Sequence, residues 1–463
     1  MIVPALLDAA VGDPNWRAFG GAAGTTVFTG LLLFYATRGR SGRLTTRQAM
    51  LMTVAVWVSL AAFGALPYLW SGVVSTYADA FFESMSGLTT TGATVITGLD
   101  QAPPGILLWR SVQQWLGGLG IIVMAVSVLP MLQIGGMQVF RAEAFDTPEK
   151  ILPRARQLSG AMTRVFASLT LLCALLYWIA GMGAFDALLH SMTTVATGGF
   201  SSHDASMGHF DSALIDAIAT VFMLVGSIPF LLYVAVLNGR PISVIWQDAQ
   251  VRVFLAVIAV AIAIAWVIAV TGEPGHQAGT ALRYASFNVV SIITGTGYAT
   301  TDYGLWGAHS VAFFFAIMFI GGCAGSTSCG IKIFRFQVLF QELRQHISRT
   351  IYPHGVFTKR FNGKPIEERV SASVMSFFYL YIVSFFAIAM LLTMVGLDFT
   401  TAMSGAGSAI SNVGPGLGEI IGPAGTYAPL NEPAKWILSF AMLLGRLELF
   451  TVLVLLLPRF WRG

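Results

Sequence analysis

The sequence predicts an all-α polytopic membrane protein: four tandem repeats of span, re-entrant half-helix, loop and span (M1–P-loop–M2) in a pseudo-fourfold arrangement, behind an N-terminal helical segment. Three observations carry this expectation. Of 463 residues, 56% are hydrophobic and 10% charged, against about 25% charged in a soluble domain. Apolar stretches near the roughly 20 residues that cross a bilayer recur at 51–69, 165–181, 254–270, 374–392 and 436–457. Finally, one short Ser/Thr/Gly motif returns four times.

The elements follow in chain order. Residues 1–47 form the N-terminal segment. Its first eleven residues are apolar but contain Pro4 and Asp8. They lack the basic start and small-residue cleavage site of a signal peptide, and at about 1.5 Å per residue they are too short to span. A second apolar stretch covers 23–36. Repeats then run over 48–150, 151–250, 251–365 and 366–463. Their motifs are Ser86-Gly-Leu-Thr-Thr-Thr-Gly-Ala93, Ser191-Met-Thr-Thr-Val-Ala-Thr-Gly-Gly199, Ser291-Ile-Ile-Thr-Gly-Thr-Gly-Tyr298 and Ser408-Ala-Ile-Ser-Asn-Val-Gly-Pro415. Aligned on one glycine each, they mark Gly92, Gly198, Gly297 and Gly414, at spacings of 106, 99 and 117 residues. Each motif follows an amphipathic stretch of about 12 residues, at 78–88, 185–195, 282–293 and 400–410, too short to cross the bilayer. Irregular backbone after such a half-helix is tolerated at membrane depth only inside protein or beside a water-filled cavity.

Charge placement orients the repeats. Net charge is +4, and 21 of the 26 Lys and Arg residues fall in five stretches: 38–48, 134–164, 238–252, 332–369 and after Pro458. These lie at alternate ends of the spans, so the positive-inside rule places them in the cytoplasm and brings all four motifs in from the outer side. With no soluble domain to carry the basic charge on one face, the pattern excludes nucleic-acid binding. Cys173, Cys323 and Cys329 sit in apolar or Gly-rich sequence with no CxxC or His-rich pattern, and read as small core residues rather than redox or metal groups.

The four motifs point to cation chemistry. A dehydrated cation needs oxygen ligands, and backbone carbonyls supply them without formal charge, so that release stays easy. Turning successive carbonyls the same way needs φ > 0, which glycine adopts at little cost. The C-terminal end of each half-helix adds roughly half a negative charge. No carboxylate occurs in the motif cores, which argues against a divalent-selective ring. Close helix packing through small residues is the plainer reading of one such motif; four at similar spacing, each behind a half-helix, favour a pore.

These residues resemble the Trk/Ktr/HKT superfamily, specifically its TrkH/TrkG branch, along nearly the whole chain. The carriers are Phe81-Phe-Glu-Ser84 with Thr89-Thr-Thr-Gly-Ala-Thr-Val95, Gln114-Trp-Leu-Gly-Gly-Leu-Gly-Ile-Ile122, Gly135-Gly-Met-Gln-Val-Phe-Arg-Ala-Glu143, Ala196-Thr-Gly-Gly-Phe-Ser201, Gly321-Gly-Cys-Ala-Gly-Ser-Thr327, Asn412-Val-Gly-Pro-Gly-Leu-Gly418 and Leu444-Gly-Arg-Leu-Glu-Leu-Phe450. The resemblance implies potassium uptake across the bacterial inner membrane through one central pore. It implies K+ at a selectivity filter formed by Thr90, Thr91, Gly92 and Ala93; Ala196, Thr197, Gly198 and Gly199; Gly295, Thr296, Gly297 and Tyr298; and Asn412, Val413, Gly414 and Pro415. In plant relatives a serine at the first-loop glycine accompanies sodium preference, so Gly92 favours potassium. A homodimer is implied, each protomer with its own pore, as is a separate cytoplasmic RCK-type nucleotide-binding regulatory protein (TrkA-like). A sodium-preferring or ion-coupled (symport) transporter of the same superfamily is the alternative. Two departures stand out. The branch usually has two extra helices ahead of its repeats, the first here cut to about eleven residues. In addition, Ser328-Cys329 stands where the family often has glycine at both positions.

The second span of repeat three is interrupted by Gly321-Gly-Cys-Ala-Gly-Ser-Thr-Ser-Cys-Gly330, which cannot hold a regular lipid-facing helix. Read with the resemblance, Gly322, Ala324, Gly325, Ser326, Thr327, Gly330 and Lys332 form a gating loop; the alternative is a tight helix crossing. A P-loop is excluded, because residue 331 is Ile where that motif needs Lys. Arg446 lies about 16 Å into the last span at helical rise and, being costly in lipid, is expected to face the pore below the filter and hold the loop, or else to join a structural salt bridge. Glu448, two residues on, is expected to point elsewhere on the same helix. Arg110 and Arg283 are expected to snorkel to the interface, His203-Asp204 to form an outer surface pair, and His190 to be a bonded half-helix residue without catalytic role. The basic segment 332–369 suits either the regulatory ring or anionic lipid headgroups.

Other classes fit poorly. A membrane-embedded enzyme would need HExxH, paired intramembrane aspartates or a Ser/His pair at one depth. Gly405-Ala-Gly-Ser-Ala409 resembles a nucleophile elbow only loosely and lies on a half-helix. An alternating-access carrier is built from inverted halves, whereas these four copies run parallel.

Overall fold

The computed structural model describes residues 1–38, 45–127, 151–272, 275–362 and 364–462. The motif at 135–143 and the basic residues at 40, 43, 141 and 150 lie outside them. Among the described residues the regular structure is helical apart from a small hairpin pairing Arg360–Phe361 with Lys364–Pro365. Six helices among the described residues are long and apolar enough to cross a membrane: Trp16–Thr37, Arg47–Trp70, Pro104–Met124, Gln157–Ile179, Ala249–Thr271 and Glu368–Met394. Two bent pairs raise the number to eight, Ala213–Gly226 with Phe230–Leu237 and Glu432–Arg446 with Phe450–Leu456. Large apolar side chains such as Leu171, Trp178, Ile179, Phe386 and Met390 are exposed on the outside of the bundle, the arrangement of a multi-pass membrane protein.

Four shorter helices lie inside: Tyr77–Leu88, Ala184–Val195, Ala278–Thr294 and Phe399–Ser411. Two begin on caps that their sequence supplies. The Thr76 and Asp398 side chains each accept from the backbone N–H three residues on, at 3.1 Å, using donors that a helix start leaves unpaired. Their last two turns are almost wholly buried. Tyr77–Leu88 packs on Glu432–Arg446, Ala184–Val195 on Pro104–Ser127, and Ala278–Thr294 on Ala213–Gly226. Each therefore rests on the outgoing helix of the neighbouring quarter. The fourth does the same through Gly407, whose open side faces Met318 and Phe319.

The N-terminal segment contributes a short helix, Ile2–Val11. Asp8 Oδ1 accepts the Gly105 N–H at 2.6 Å, which ties this helix to the start of Pro104–Ser127.

The structure breaks two spans that hydropathy reads as continuous. The turn at Ser227-Ile228-Pro229 bends its pair by 88°, where proline has no N–H to continue the ladder. The last span turns by 115° after Arg446, with Glu448 and Leu449 at φ 63° and 45°. Arg446 is thus in the last turn of its helix rather than midway along a span, and Glu448 lies beyond the helix.

Candidate functional site

The four internal helices converge with their C-terminal ends, and the motif backbones repeat one conformation there. Each helix runs into a left-handed residue: Thr90 (φ 52°), Thr197 (φ 49°), Gly295 (φ 73°) and Asn412 (φ 52°). Two residues on comes a glycine at positive φ: Gly92 (86°), Gly199 (79°), Gly297 (81°) and Gly414 (106°). Between them, the N–H groups of Thr91, Gly198, Thr296 and Val413 donate to the carbonyls of Ser86, Thr193, Ser291 and Ser408 at 2.8–3.0 Å. Left-handed backbone at β-branched Thr90 and Thr197 is strained by about 1–3 kcal/mol each, so the surroundings must impose it.

The segments close into a ring. A Cβ on Gly92 would fall within 3 Å of the Gly198 carbonyl oxygen, one on Gly199 of the Thr296 oxygen, one on Gly297 of the Val413 oxygen, and one on Gly414 of the Thr91 oxygen. The same carbonyl position in each quarter therefore lies against the same glycine of the next. Gly92, Gly199, Gly297 and Gly414 also line one cavity of about 70 Å³, with Ala93, Phe200, Pro415 and, further out, His203 and Asp204.

This geometry moves the second segment by one residue. The motif comparison anchored it on Ser191 and Gly198, but Thr193 takes the place of Ser86, Ser291 and Ser408, and Gly199 takes that of Gly92. Ala196 is the cap of its helix, with φ −73°, and Phe200 occupies the place of Ala93, Tyr298 and Pro415. Two adjacent glycines, and threonine in place of serine, hid the register.

The ring is fixed from behind. Gln114 grips the second segment at both ends, donating to the Gly198 carbonyl at 2.5 Å and accepting from the Phe200 N–H at 3.0 Å. Ser408 Oγ and Tyr427 OH both donate to the Gly414 carbonyl at 2.8 Å, and Ser291 Oγ donates to that of Tyr298 at 2.7 Å. Asn412 Nδ2 donates to Thr91 Oγ1 at 3.0 Å.

At the end of the ring where the helices stop lies the glycine-rich loop that interrupts the third repeat, between helices Ala308–Ile317 and Ile333–Ile351. Its neck is pinched by a bridge between Ile320 and Ile331. Its tip docks into the bend of the second repeat: the Thr327 N–H and Oγ1 both donate to the Gly226 carbonyl, at 3.1 and 2.8 Å, and the Phe230 N–H donates to Gly325 at 2.9 Å. Gly325 and Gly330 hold positive φ, and Ser326 Oγ donates back to Cys323 at 2.6 Å. The Gly322 N–H donates to Ser328 Oγ at 2.8 Å, and the Ala324 N–H to Gln250 Oε1 at 3.0 Å. The loop meets the ring where Cys329 Sγ approaches Thr90 Oγ1 at 3.5 Å and Thr197 Oγ1 donates to Thr327 Oγ1 at 3.2 Å.

Arg446 is buried against this loop. It donates to the Thr327 carbonyl at 3.2 Å and Cys329 Sγ at 2.7 Å, and across to the Gly117 carbonyl at 2.9 Å. Among the described residues it pairs with no carboxylate. The ion pair instead joins Glu448 to Arg335, whose guanidinium also lies 3.7 Å above the Phe377 ring. Lys332 donates to the Ser328 carbonyl. Lys332, Arg335, Arg446 and Glu448 share the wall of a cavity of about 20 Å³, so three cations face one anion beneath the ring.

Known proteins share this arrangement of helices. Residues 17–462 match the TrkH family of cation transport proteins. The chain is 41% identical to the Trk system potassium uptake protein TrkI of Halomonas elongata over all of its own length and 94% of that protein. It is 39% identical to TrkH of Salmonella typhimurium over 100% and 96% of the two chains. The chain belongs to the TrkH family. The crystal structure of the potassium transporter TrkH from Vibrio parahaemolyticus superimposes with a TM-score of 0.91 at 37% identity, covering 99% of this chain and 95% of that one. TrkH-family membership makes the protein a multi-pass membrane protein of the Trk potassium uptake type, a class of transporters.

Within this TrkH-family fold, several side chains differ from the sequence expectation. Arg110 does not snorkel. It is buried, bonded to Glu83 at 2.8 Å, to the Ser201 carbonyl at 2.6 Å and to Thr94 Oγ1 at 3.2 Å, with its guanidinium 4.2 Å above the Phe200 ring. Glu83 also accepts the Val95 N–H at 2.9 Å, so one ion pair couples the first two segments. The signal was available: an acid inside a half-helix and a base inside a span, both unaffordable in lipid unless paired. Arg283 likewise pairs, with Asp216 at 2.7 Å and Asp211 at 3.2 Å. His190 is buried with both ring nitrogens bonded, to the Asp186 carbonyl and Ser201 Oγ.

Proposed function

We propose that the protein takes up potassium along the axis of the four-segment ring, and that the loop at 318–332 with Arg446 gates the inner end. The observation that carries this reading is the closed cycle in which the carbonyls of Thr91, Gly198, Thr296 and Val413 each lie against a glycine of the next segment. Four segments of one conformation around one axis gather backbone carbonyls where a dehydrated monovalent cation needs an oxygen cage, the Gly198 carbonyl being braced by Gln114, and four helix C-termini bias the site toward positive charge. No segment carries a carboxylate, so the ion is not trapped.

The loop supports gating because it lies directly against Thr90 and Thr197 and is held mainly by exchangeable hydrogen bonds. Arg446 and Lys332 place positive charge on the inner path, which discourages a cation from resting there while the loop is in place.

The proposed assembly is a homodimer served by a cytoplasmic RCK-type regulatory protein, as the sequence resemblance implies. Helix Ile333–Ile351 favours docking of such a partner, since Phe340, Leu343, Ile347 and Ile351 are exposed on it next to a basic segment.

The test is ⁸⁶Rb⁺ uptake by purified protein in liposomes under K+, Rb+ and Na+ gradients, with Gly92→Ser alongside. Uptake favouring K+ and Rb+ over Na+ in the wild type, with the preference weakened in Gly92→Ser, is expected. Equal Na+ flux, or flux that requires a second ion gradient, would replace the reading with a sodium-preferring or coupled transporter.

A further inference from the structure

Beside the outer cavity, three side chains from two quarters of the molecule come together. Asp100 sits in the turn Leu99–Gln101 after the first segment, His203 just after the second, and His209 in the turn Ser206–Phe210. Their ligand atoms all lie within 4.8 Å of one another. His203 Nδ1 is 2.5 Å from Asp100 Oδ1, and His209 Nδ1 is 3.8 Å from the same oxygen. The two imidazoles are parallel, with centroids 3.5 Å apart.

We propose that Asp100, His203 and His209 form a binding site for a zinc-like divalent cation at the outer mouth, and that its occupation slows potassium entry. Two imidazole nitrogens and one carboxylate oxygen are the donor set that suits Zn²⁺, with water as the fourth ligand. Mg²⁺ and Ca²⁺ require a fuller oxygen shell. On the far side of the ring, His203 Nε2 faces Asp186 Oδ1 at 3.6 Å and has no hydrogen bond among the described residues. A carboxylate there is the usual orienting partner of a metal-bound histidine. Asp186 is itself held by Ser202 Oγ at 2.7 Å, and the His203 backbone N–H by Ser201 Oγ at 3.0 Å. Stacked rings do not aim their lone pairs at one point, so binding must turn one of them. His209, with its side chain 45% exposed, is free to turn, whereas His203 is mostly enclosed.

The slowing of uptake rests on the proposed potassium pathway; the binding does not. His203 and Asp204 share the cavity wall with Gly92, Gly199, Gly297 and Gly414. A bound dication converts the negative charge of Asp100 into a net positive one at that entrance, and charge at a confined mouth sets the local cation concentration.

The experiment pairs calorimetric titration of the detergent-solubilised protein with ZnCl₂ and ⁸⁶Rb⁺ uptake by proteoliposomes in external ZnCl₂, with MgCl₂ as the control salt. His209→Ala removes one ligand from an exposed turn, and gel filtration checks its fold. Wild type is expected to bind one zinc per chain and to lose uptake as zinc rises, while magnesium has no effect. In His209→Ala the half-inhibiting zinc concentration rises by about tenfold or more, with zinc-free uptake unchanged. Absence of calorimetric binding, or equal inhibition of both proteins, overturns the site. Binding without inhibition overturns the regulatory role. Zinc bound by a protein that moves no rubidium upholds the site and removes the transport reading instead.

Discussion

The ring and the loop are both irregular backbone buried among helices, yet they are held by different means. The ring depends on backbone conformation. Its glycines occupy positive φ with a neighbouring carbonyl where a Cβ would be, and hydroxyl, amide and carboxylate groups brace it from behind. The loop has its own positive-φ glycines, Gly325 and Gly330. It is secured to its surroundings mainly by individual hydrogen bonds, among them those joining Thr327 to Gly226, Ala324 to Gln250, Phe230 to Gly325 and Arg446 to Thr327. Each such bond contributes about 0.5–1.5 kcal/mol, more when charged. The first construction resists displacement; the second permits it. That difference is what the proposed filter beside the proposed gate would require.

The comparison can be broken most directly at Gly199. Gly199→Ala is expected to reduce ⁸⁶Rb⁺ uptake to background while the protein still purifies as a folded species, because its Cβ would collide with the Thr296 carbonyl. Normal uptake there would show that the ring tolerates side chains and is no more constrained than the loop. Arg446→Gln comes next. It removes a charged donor from three contacts, and at about 1.5–3 kcal/mol for charged bonds it is expected to raise the uptake rate about tenfold. Loss of uptake in this variant would mean that Arg446 supports the ring instead. Cys329→Ala sharpens the same distinction with a smaller change. Without Sγ the loop loses its contacts to Arg446 and Thr90. Because a thiol sulfur is a weak acceptor, these sum to about one neutral hydrogen bond, and uptake should rise about threefold.

The smallest effect concerns pH at the outer turn. The hydrogen bond from His203 holds the Asp100 carboxyl below its ordinary 3.8, more than offsetting slight burial. A depressed carboxylate stabilises the fold above that ordinary value, and the contribution disappears as pH falls through the lower folded value. Exposure and screening keep it small. The melting temperature should therefore drop by about 1 °C more on acidification in wild type than in Asp100→Asn. Identical profiles would show that the turn contributes nothing to stability.

Much of the scaffold was legible before the structure. Low charge, spans of the right length and basic residues at alternate ends fixed the class. The half-helices expected at 78–88, 185–195, 282–293 and 400–410 appear within a few residues at their ends, because amphipathic patterning and a following Gly/Thr run are local signals. Other features stayed hidden because they depend on partners distant in sequence. The bends at Ser227–Pro229 and after Arg446 lie within apolar runs, which hydropathy reads as continuous; at the first, a distant loop satisfies the freed Gly226 carbonyl and Phe230 N–H. The burial of Arg110 required Glu83 to be placed opposite it. The register of the second segment could not be chosen from two adjacent glycines until the Thr296 carbonyl showed which one must lack a side chain.

The sequence alone determined that the chain crosses a membrane repeatedly and which four stretches depart from regular helix, since bilayer thickness and backbone preference act residue by residue. Tertiary structure decided which glycine faces which carbonyl, which cation is paired and which is left to hold the loop, and that Asp100, His203 and His209 meet. Those outcomes depend on contacts between segments about a hundred to more than three hundred residues apart, where charge and steric exclusion act through space rather than along the chain.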